Sequence, residues 1–129
     1  MSKKILIVED EPMLAELLFD VLENAGYTCS SAPSGKTALS KLQSEPVDFI
    51  ISDLTMADGD GYFLLDQLVK NEIKTPIGIC TGIGYSDTLD NLMEKGAVMC
   101  FKKPYSLRKL AQDLDKYFEK SVTTISEIS

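Results

Sequence analysis

Five short apolar runs, each followed by an amphipathic stretch, constrain this chain more than any other feature. The runs cover residues 5–8, 27–31, 47–51, 76–80 and 97–101. Runs of this length suit strands and are too short for core helices. The first, Ile5-Leu6-Ile7-Val8, is apolar throughout, as expected of a strand buried on both faces. Between the runs, apolar residues recur every three or four positions. Pro12 opens a helix carrying Leu14, Leu17, Leu18, Val21 and Leu22, and Gly26 suits the cap past its end. Ser34 caps a second helix with Ala38, Leu39 and Leu42, which stops before Pro46. Asp60 or Gly61 starts a third, with Phe63, Leu64, Leu65 and Leu68. A weaker fourth follows Ser86, carries Leu89, Leu92 and Met93, and ends at Gly96. Ser106 caps the fifth, which bears Leu107, Leu110, Ala111, Leu114, Tyr117 and Phe118. Five β-α units in succession predict an α/β domain with a parallel sheet and helices on both faces. The domain is assigned to residues 1–120, and residues 121–129 read as a polar tail, a frayed end or the start of a linker. A chain of 129 residues has room for one such domain.

Charge narrows the function classes. Lys and Arg number 13 against 20 Asp and Glu, a net charge of −7. This balance argues against nucleic acid, whose phosphates require a basic face, and against an anionic membrane surface. The absence of histidine excludes a histidine base, metal ligand or phosphocarrier. Cys29, Cys80 and Cys100 are odd in number and widely spaced, which suggests small buried hydrophobes in a reducing compartment. Residues 5–8 are cut off by Glu9 and Asp10, so no signal peptide is expected. No stretch is long and apolar enough for a membrane span, and the expected location is the cytoplasm.

Ligands of open parallel sheets gather at the carboxyl ends of the strands. Here the first strand ends in Glu9-Asp10, the third in Asp53 and the fourth in Thr81-Gly82, while Lys102-Lys103-Pro104 follows the fifth. Any one of these residues alone reads as a turn former, a helix cap or a solvated charge. Their joint arrival at one sheet edge reads as a site. Carboxylates gathered so closely stay ionised when a divalent cation sits among them. A donor set without His or Cys suits Mg²⁺ or another hard cation such as Mn²⁺. The Lys103 ammonium and Thr81 hydroxyl can hold phosphoryl oxygens. Asp53, on the central strand, is the candidate nucleophile for an aspartyl phosphate.

At this point the chain resembles the response-regulator receiver domains of two-component signalling, over about residues 3–119. Residues 53–61, Asp-Leu-Thr-Met-Ala-Asp-Gly-Asp-Gly, follow the family pattern D-L-x-M-P-x-x-D-G, with Ala57 in place of proline. The resemblance implies a flavodoxin-like (βα)5 fold with strand order 2-1-3-4-5. It makes Asp53 the phosphoacceptor and Glu9, Asp10, Asp53 and the Thr55 backbone carbonyl the Mg²⁺ ligands. It makes Thr81 the hydroxyl residue and Lys103, before Pro104, the phosphoryl-binding lysine. The implied donor is a phosphohistidine on a sensor histidine kinase or histidine phosphotransfer protein. Docking falls around Leu14 and Tyr105, and the downstream target is a protein the sequence does not name. Such a domain catalyses its own phosphorylation and dephosphorylation and turns over no independent substrate.

Beyond Ala57, one departure bears on output. The family places Tyr or Phe three residues before the lysine, and Cys100 stands there. Phe101 is one residue late and should face the opposite side of the sheet. Ile83, two residues after Thr81, offers no group to orient a water, which implies a long-lived phosphoryl. A phosphate-independent interaction module is the alternative reading. A flavin-binding flavodoxin is disfavoured by Glu9-Asp10-Glu11-Pro12 where a phosphate-cradling loop is required. An EF-hand around Gly61 fails because Met56 and Gln67 fall where acids are required. No output domain follows Tyr117, so the chain reads as a stand-alone receiver or a piece of a longer protein.

Overall fold

The computed structural model describes residues 2–56, 58–82, 85–103 and 106–128, with their side chains except at 85–88 and 120–128. The elements run β1 (Lys4–Val8), α1 (Pro12–Asn24), β2 (Thr28–Ala32), α2 (Gly35–Ser44), β3 (Phe49–Asp53), α3 (Gly61–Lys70), β4 (Ile77–Thr81), α4 (Tyr85–Glu94), β5 (Met99–Lys102) and α5 (Leu107–Ile128). All strand pairs are parallel, in the order β2-β1-β3-β4-β5. This is the flavodoxin-like α/β arrangement expected from the sequence.

Strand alternation divides the core between the two sheet faces. Leu6, Val8, Ile50, Ile77 and Ile79 pack against Ala38 and Leu42 of α2, Leu64, Leu65 and Leu68 of α3, and Leu92 of α4. Ile5, Ile7, Phe49, Ile51 and Phe101 pack on the other face against Leu18 and Leu22 of α1 and Leu110 and Leu114 of α5. Burying each such Leu, Ile or Phe stabilises the fold by about 1.5–3 kcal/mol. Central strands covered on both sides need apolar residues at every position, which is why the first run did not alternate.

The helix starts follow local chemistry. Pro12 sits in the first turn of α1. The Ser34 hydroxyl accepts from the Thr37 N–H at 3.2 Å, and the Asp60 carboxylate accepts from the Phe63 N–H at 2.9 Å. The Ser106 hydroxyl accepts from the Lys109 N–H at 3.3 Å. Each satisfies a helix-start donor that has no intrahelical partner.

Some boundaries differ from expectation. β3 starts at Phe49 rather than at residue 47, because pairing with β1 begins at Ile5↔Phe49 and the Asp48 carboxylate instead accepts the Lys4 N–H at 2.7 Å. The strand runs on to Asp53, which therefore sits on the sheet edge itself. α5 continues as helix to Ile128, through the segment expected to be a frayed tail. The sequence spacing agrees with this: Val122 and Ile125 continue the helical series of Leu114 and Phe118. No helix among the described residues is long and apolar enough to cross a membrane.

Candidate functional site

The parallel register delivers chemistry from several elements to one edge. Glu9 and Asp10 follow β1, Asp53 closes β3, Thr81 closes β4 and Lys103 follows β5. A carboxylate oxygen from each of Glu9, Asp10 and Asp53 lies within 4.8 Å of the others. The Lys103 ammonium is 2.7 Å from Asp53 Oδ1. The Leu54 N–H donates to the same oxygen at 3.0 Å. Asp53 Oδ2 has no hydrogen-bond partner among the described residues. Thr81 is buried, and its hydroxyl makes no hydrogen bond among the described residues. Asp53, Leu54, Thr55, Cys80, Thr81, Gly82 and Lys103 line a cleft of about 410 Å³.

Backbone fit explains two glycines of the site. A Cβ at Gly61 would stand 3.0 Å from the Asp53 carbonyl oxygen and the Leu54 Cα, so a larger residue there would crowd the start of α3 against β3. At Gly82, where the sequence suggested space beside Thr81, a Cβ would meet the Lys103 Cβ at 3.2 Å. The room left by Gly82 thus lets the Lys103 segment approach, and the Lys103 N–H bonds the Thr81 carbonyl at 2.8 Å.

The charges are not balanced. Burial, with the nearby Asp53 charge, raises the Glu9 carboxyl to about 7, against a small opposing hydrogen bond from the Glu11 N–H. Burial also opposes the Lys103 charge. The hydrogen bond and charge of Asp53, with the charge of Glu9, outweigh that burial and hold the ammonium above its ordinary range. Lys103 pairs directly with Asp53, and burial, followed by the Asp53 charge, leaves Glu9 with a favoured proton. A hard divalent cation fits this cluster because its donors are all oxygens and it would replace that proton.

Several sequence expectations are located by the structure. Thr55 is exposed at the cleft wall. Cys100 is half-buried on the face of α2, α3 and α4, and burial raises its thiol. Phe101 is buried on the face of α1 and α5, as strand alternation required. Cys80 is buried, while Cys29 is only half-buried. Ala57, Ile83, Pro104 and Tyr105 lie outside the described residues. Sequence reasoning missed the Leu54 N–H and the Cys80 wall. The pairing Asp53↔Cys80 puts that cysteine beside the acid, and its place just before Thr81 was the available signal.

Comparison with known proteins follows the same lines. A family model described as the response regulator receiver domain matches residues 5–115. The chain is 33% identical over 116 residues to the sensor histidine kinase RcsC of Salmonella typhi, covering 90% of this chain and 12% of that protein. It is 35% identical over 107 residues to the transcriptional regulatory protein PmrA of Pectobacterium parmentieri, covering 83% of this chain and 48% of that protein. The chain thus spans a part of each of these relatives. Among solved structures, the Francisella response regulator 1452 receiver domain superposes with a TM-score of 0.87 at 25% identity, covering 93% of this chain and 99% of that one. A two-component response regulator from Clostridium difficile gives 0.85 at 25% identity, covering 93% and 98%.

Proposed function

The chain belongs to the response regulator receiver domain family, and from that premise we propose that Asp53 is its phosphoacceptor. The donor is a phosphohistidine on a sensor histidine kinase or a histidine phosphotransfer protein. One observation carries the reading: Asp53 lines the cleft between an acidic pair and a lysine, with its Oδ1 held by Lys103 and the Leu54 N–H.

In this proposal Asp53 Oδ2 attacks phosphorus, a P–O bond forms, and the P–N bond to the donor imidazole breaks. The Leu54 N–H and Lys103 hold Oδ1 and so orient the nucleophile. Lys103 then turns to the phosphoryl oxygens, joined by the Thr81 hydroxyl, whose hydrogen-bonding capacity is unused among the described residues. Glu9, Asp10, Asp53 and the Thr55 carbonyl would hold Mg²⁺ or Mn²⁺, which would supply positive charge to offset the repulsion among the carboxylates and the charge that develops in transfer. Transfer leaves one acyl phosphate and no independent product, so the domain acts as a signalling switch toward a protein target. The alternative of a phosphate-independent module is not favoured, since Glu9, Asp10, Asp53, Thr81 and Lys103 are all retained.

Intact mass tests this. Incubation with a small-molecule phosphodonor should add one phosphoryl group in the presence of Mg²⁺, none with chelator, and none on Asp53→Asn. An adduct that persists on Asp53→Asn contradicts the assignment.

A further inference from the structure

The connection from β3 to α3 carries the Thr55 carbonyl, and it does not stand alone. Its neck is closed by the Gly61 N–H donating to the Leu54 carbonyl at 2.9 Å. Further along, Asp58 (φ 56°) and Gly59 (φ 97°) turn through the left-handed region. That turn lies against the N-terminus of α2, where the Gly35 N–H donates to the Gly59 carbonyl at 2.8 Å. The Gly35 N–H is a first-turn donor with no partner inside its own helix, so the bond uses α2 without disturbing it. The approach is close. A Cβ at Gly35 would stand 2.7 Å from the Gly59 carbonyl oxygen, and a Cβ at Gly59 would stand 3.0 Å from the Lys36 backbone nitrogen. The Phe63 ring edge covers both, 3.0 Å from either Cβ position. Lys36 and Asp58 add an ion pair at 3.1 Å, but both are well exposed, so this pair contributes little.

We propose that Gly35 is a positioning residue for the cation site, holding the β3–α3 connection through the glycine-glycine contact and the Gly59 carbonyl. This rests on the reading of Thr55 as a cation ligand. Glu9 and Asp10 follow β1, and Asp53 lies on β3, so α2 does not carry them. The Thr55 carbonyl lies on this connection, and α2 braces the connection from outside the ligand set. Helix α2 is thereby coupled to the site although it supplies none of its ligands. Gly35 is not in the left-handed region, so alanine suits its backbone and is the better helix former. Were Gly35 only a helix residue, Gly35→Ala would be harmless.

The test reads binding of Mn²⁺ alone to the whole chain, by loss of its free EPR signal, beside thermal unfolding. Gly35→Ala should weaken Mn²⁺ binding about tenfold, as expected for a group that orients a ligand from outside. Leu42→Ala removes a core side chain near the far end of the same helix, and should lower the melting temperature while leaving the Mn²⁺ dissociation constant unchanged. Equal binding by Gly35→Ala and wild type overturns the proposal and leaves the site assignment standing. Equal weakening in Gly35→Ala and Leu42→Ala also overturns it, because the loss is then general. Absence of Mn²⁺ binding by wild type overturns the site reading and this proposal together. If Gly35→Ala does not fold, Gly35→Ala combined with Phe63→Leu relieves part of the crowding at the same contact, and it is decided by the same outcomes with Phe63→Leu alone as its reference.

Discussion

Glu9 carries the clearest consequence at the scale of single residues. Its carboxyl is raised to about 7, against an ordinary value of 4.5. Between those values the folded, cation-free protein keeps a proton that the unfolded chain has released. Stability should therefore fall as pH rises through that window and level off above it. Denaturant titrations at pH 5 and 8 in chelator check this. Glu9→Gln should flatten the slope and be the more stable protein at pH 8, yet bind Mg²⁺ at least about tenfold more weakly. A slope equal to wild type in Glu9→Gln would show that another group titrates. Lys103 has the opposite balance. Lys103→Met removes the cation facing three carboxylates, so Mg²⁺ should bind at least as tightly as to wild type. Phosphoryl uptake should nevertheless slow by about 10²-fold, the cost of losing one aimed electrostatic group. The residues proposed for this chemistry were legible because each is a polar side chain at or just past the end of an apolar run. The Leu54 N–H and the Gly35–Gly59 contact were not, since backbone groups leave no mark of their own on a sequence.

At the scale of elements, strand and helix identities followed from period and caps, while their limits followed from partners. Residues 47 and 48 read as strand by composition, yet pairing with β1 begins at Phe49. The helix after Asp60 could be placed because Asp and Gly adjoin a leucine-rich period. The cap is real, and it ties α3 to the site's own connection. Asp60→Ala should cost about 1 kcal/mol, the usual worth of such a cap. Chemical unfolding reads that loss directly, and an unchanged midpoint would mean that the cap contributes nothing. Cys100 belongs to this scale too. It packs on the α4 side where the family places an aromatic, and Phe101 faces α1 and α5. Cys100→Ser should leave the phosphorylation rate within about twofold of wild type, because Cys100 packs against the core on that face and is not among the described residues that line the cleft. A tenfold loss would tie Cys100 to the chemistry.

For the whole molecule, a net charge of −7 and three carboxylates gathered at one sheet edge are what the proposed cation site rests on. A cation that binds only the folded state should raise stability by about 2.7 kcal/mol at a hundred times its dissociation constant. Mg²⁺ should accordingly raise the melting temperature of wild type, and do so less for Glu9→Gln. The fold was legible because the β-α alternation repeats five times and leaves a parallel sheet as its solution. The site was legible because that sheet gathers strand ends. The close packing of α2 on the β3–α3 connection was hidden, because its closest approach joins two glycines more than twenty residues apart through their backbones. The central claim is that Asp53 carries the phosphoryl group. Borohydride reduction of the phosphorylated chain, followed by peptide sequencing, tests it most directly, since an aspartyl phosphate is reduced to homoserine. Homoserine at position 53, dependent on both phosphodonor and Mg²⁺, is the predicted result; homoserine at another acidic position, with Asp53 intact, would contradict it.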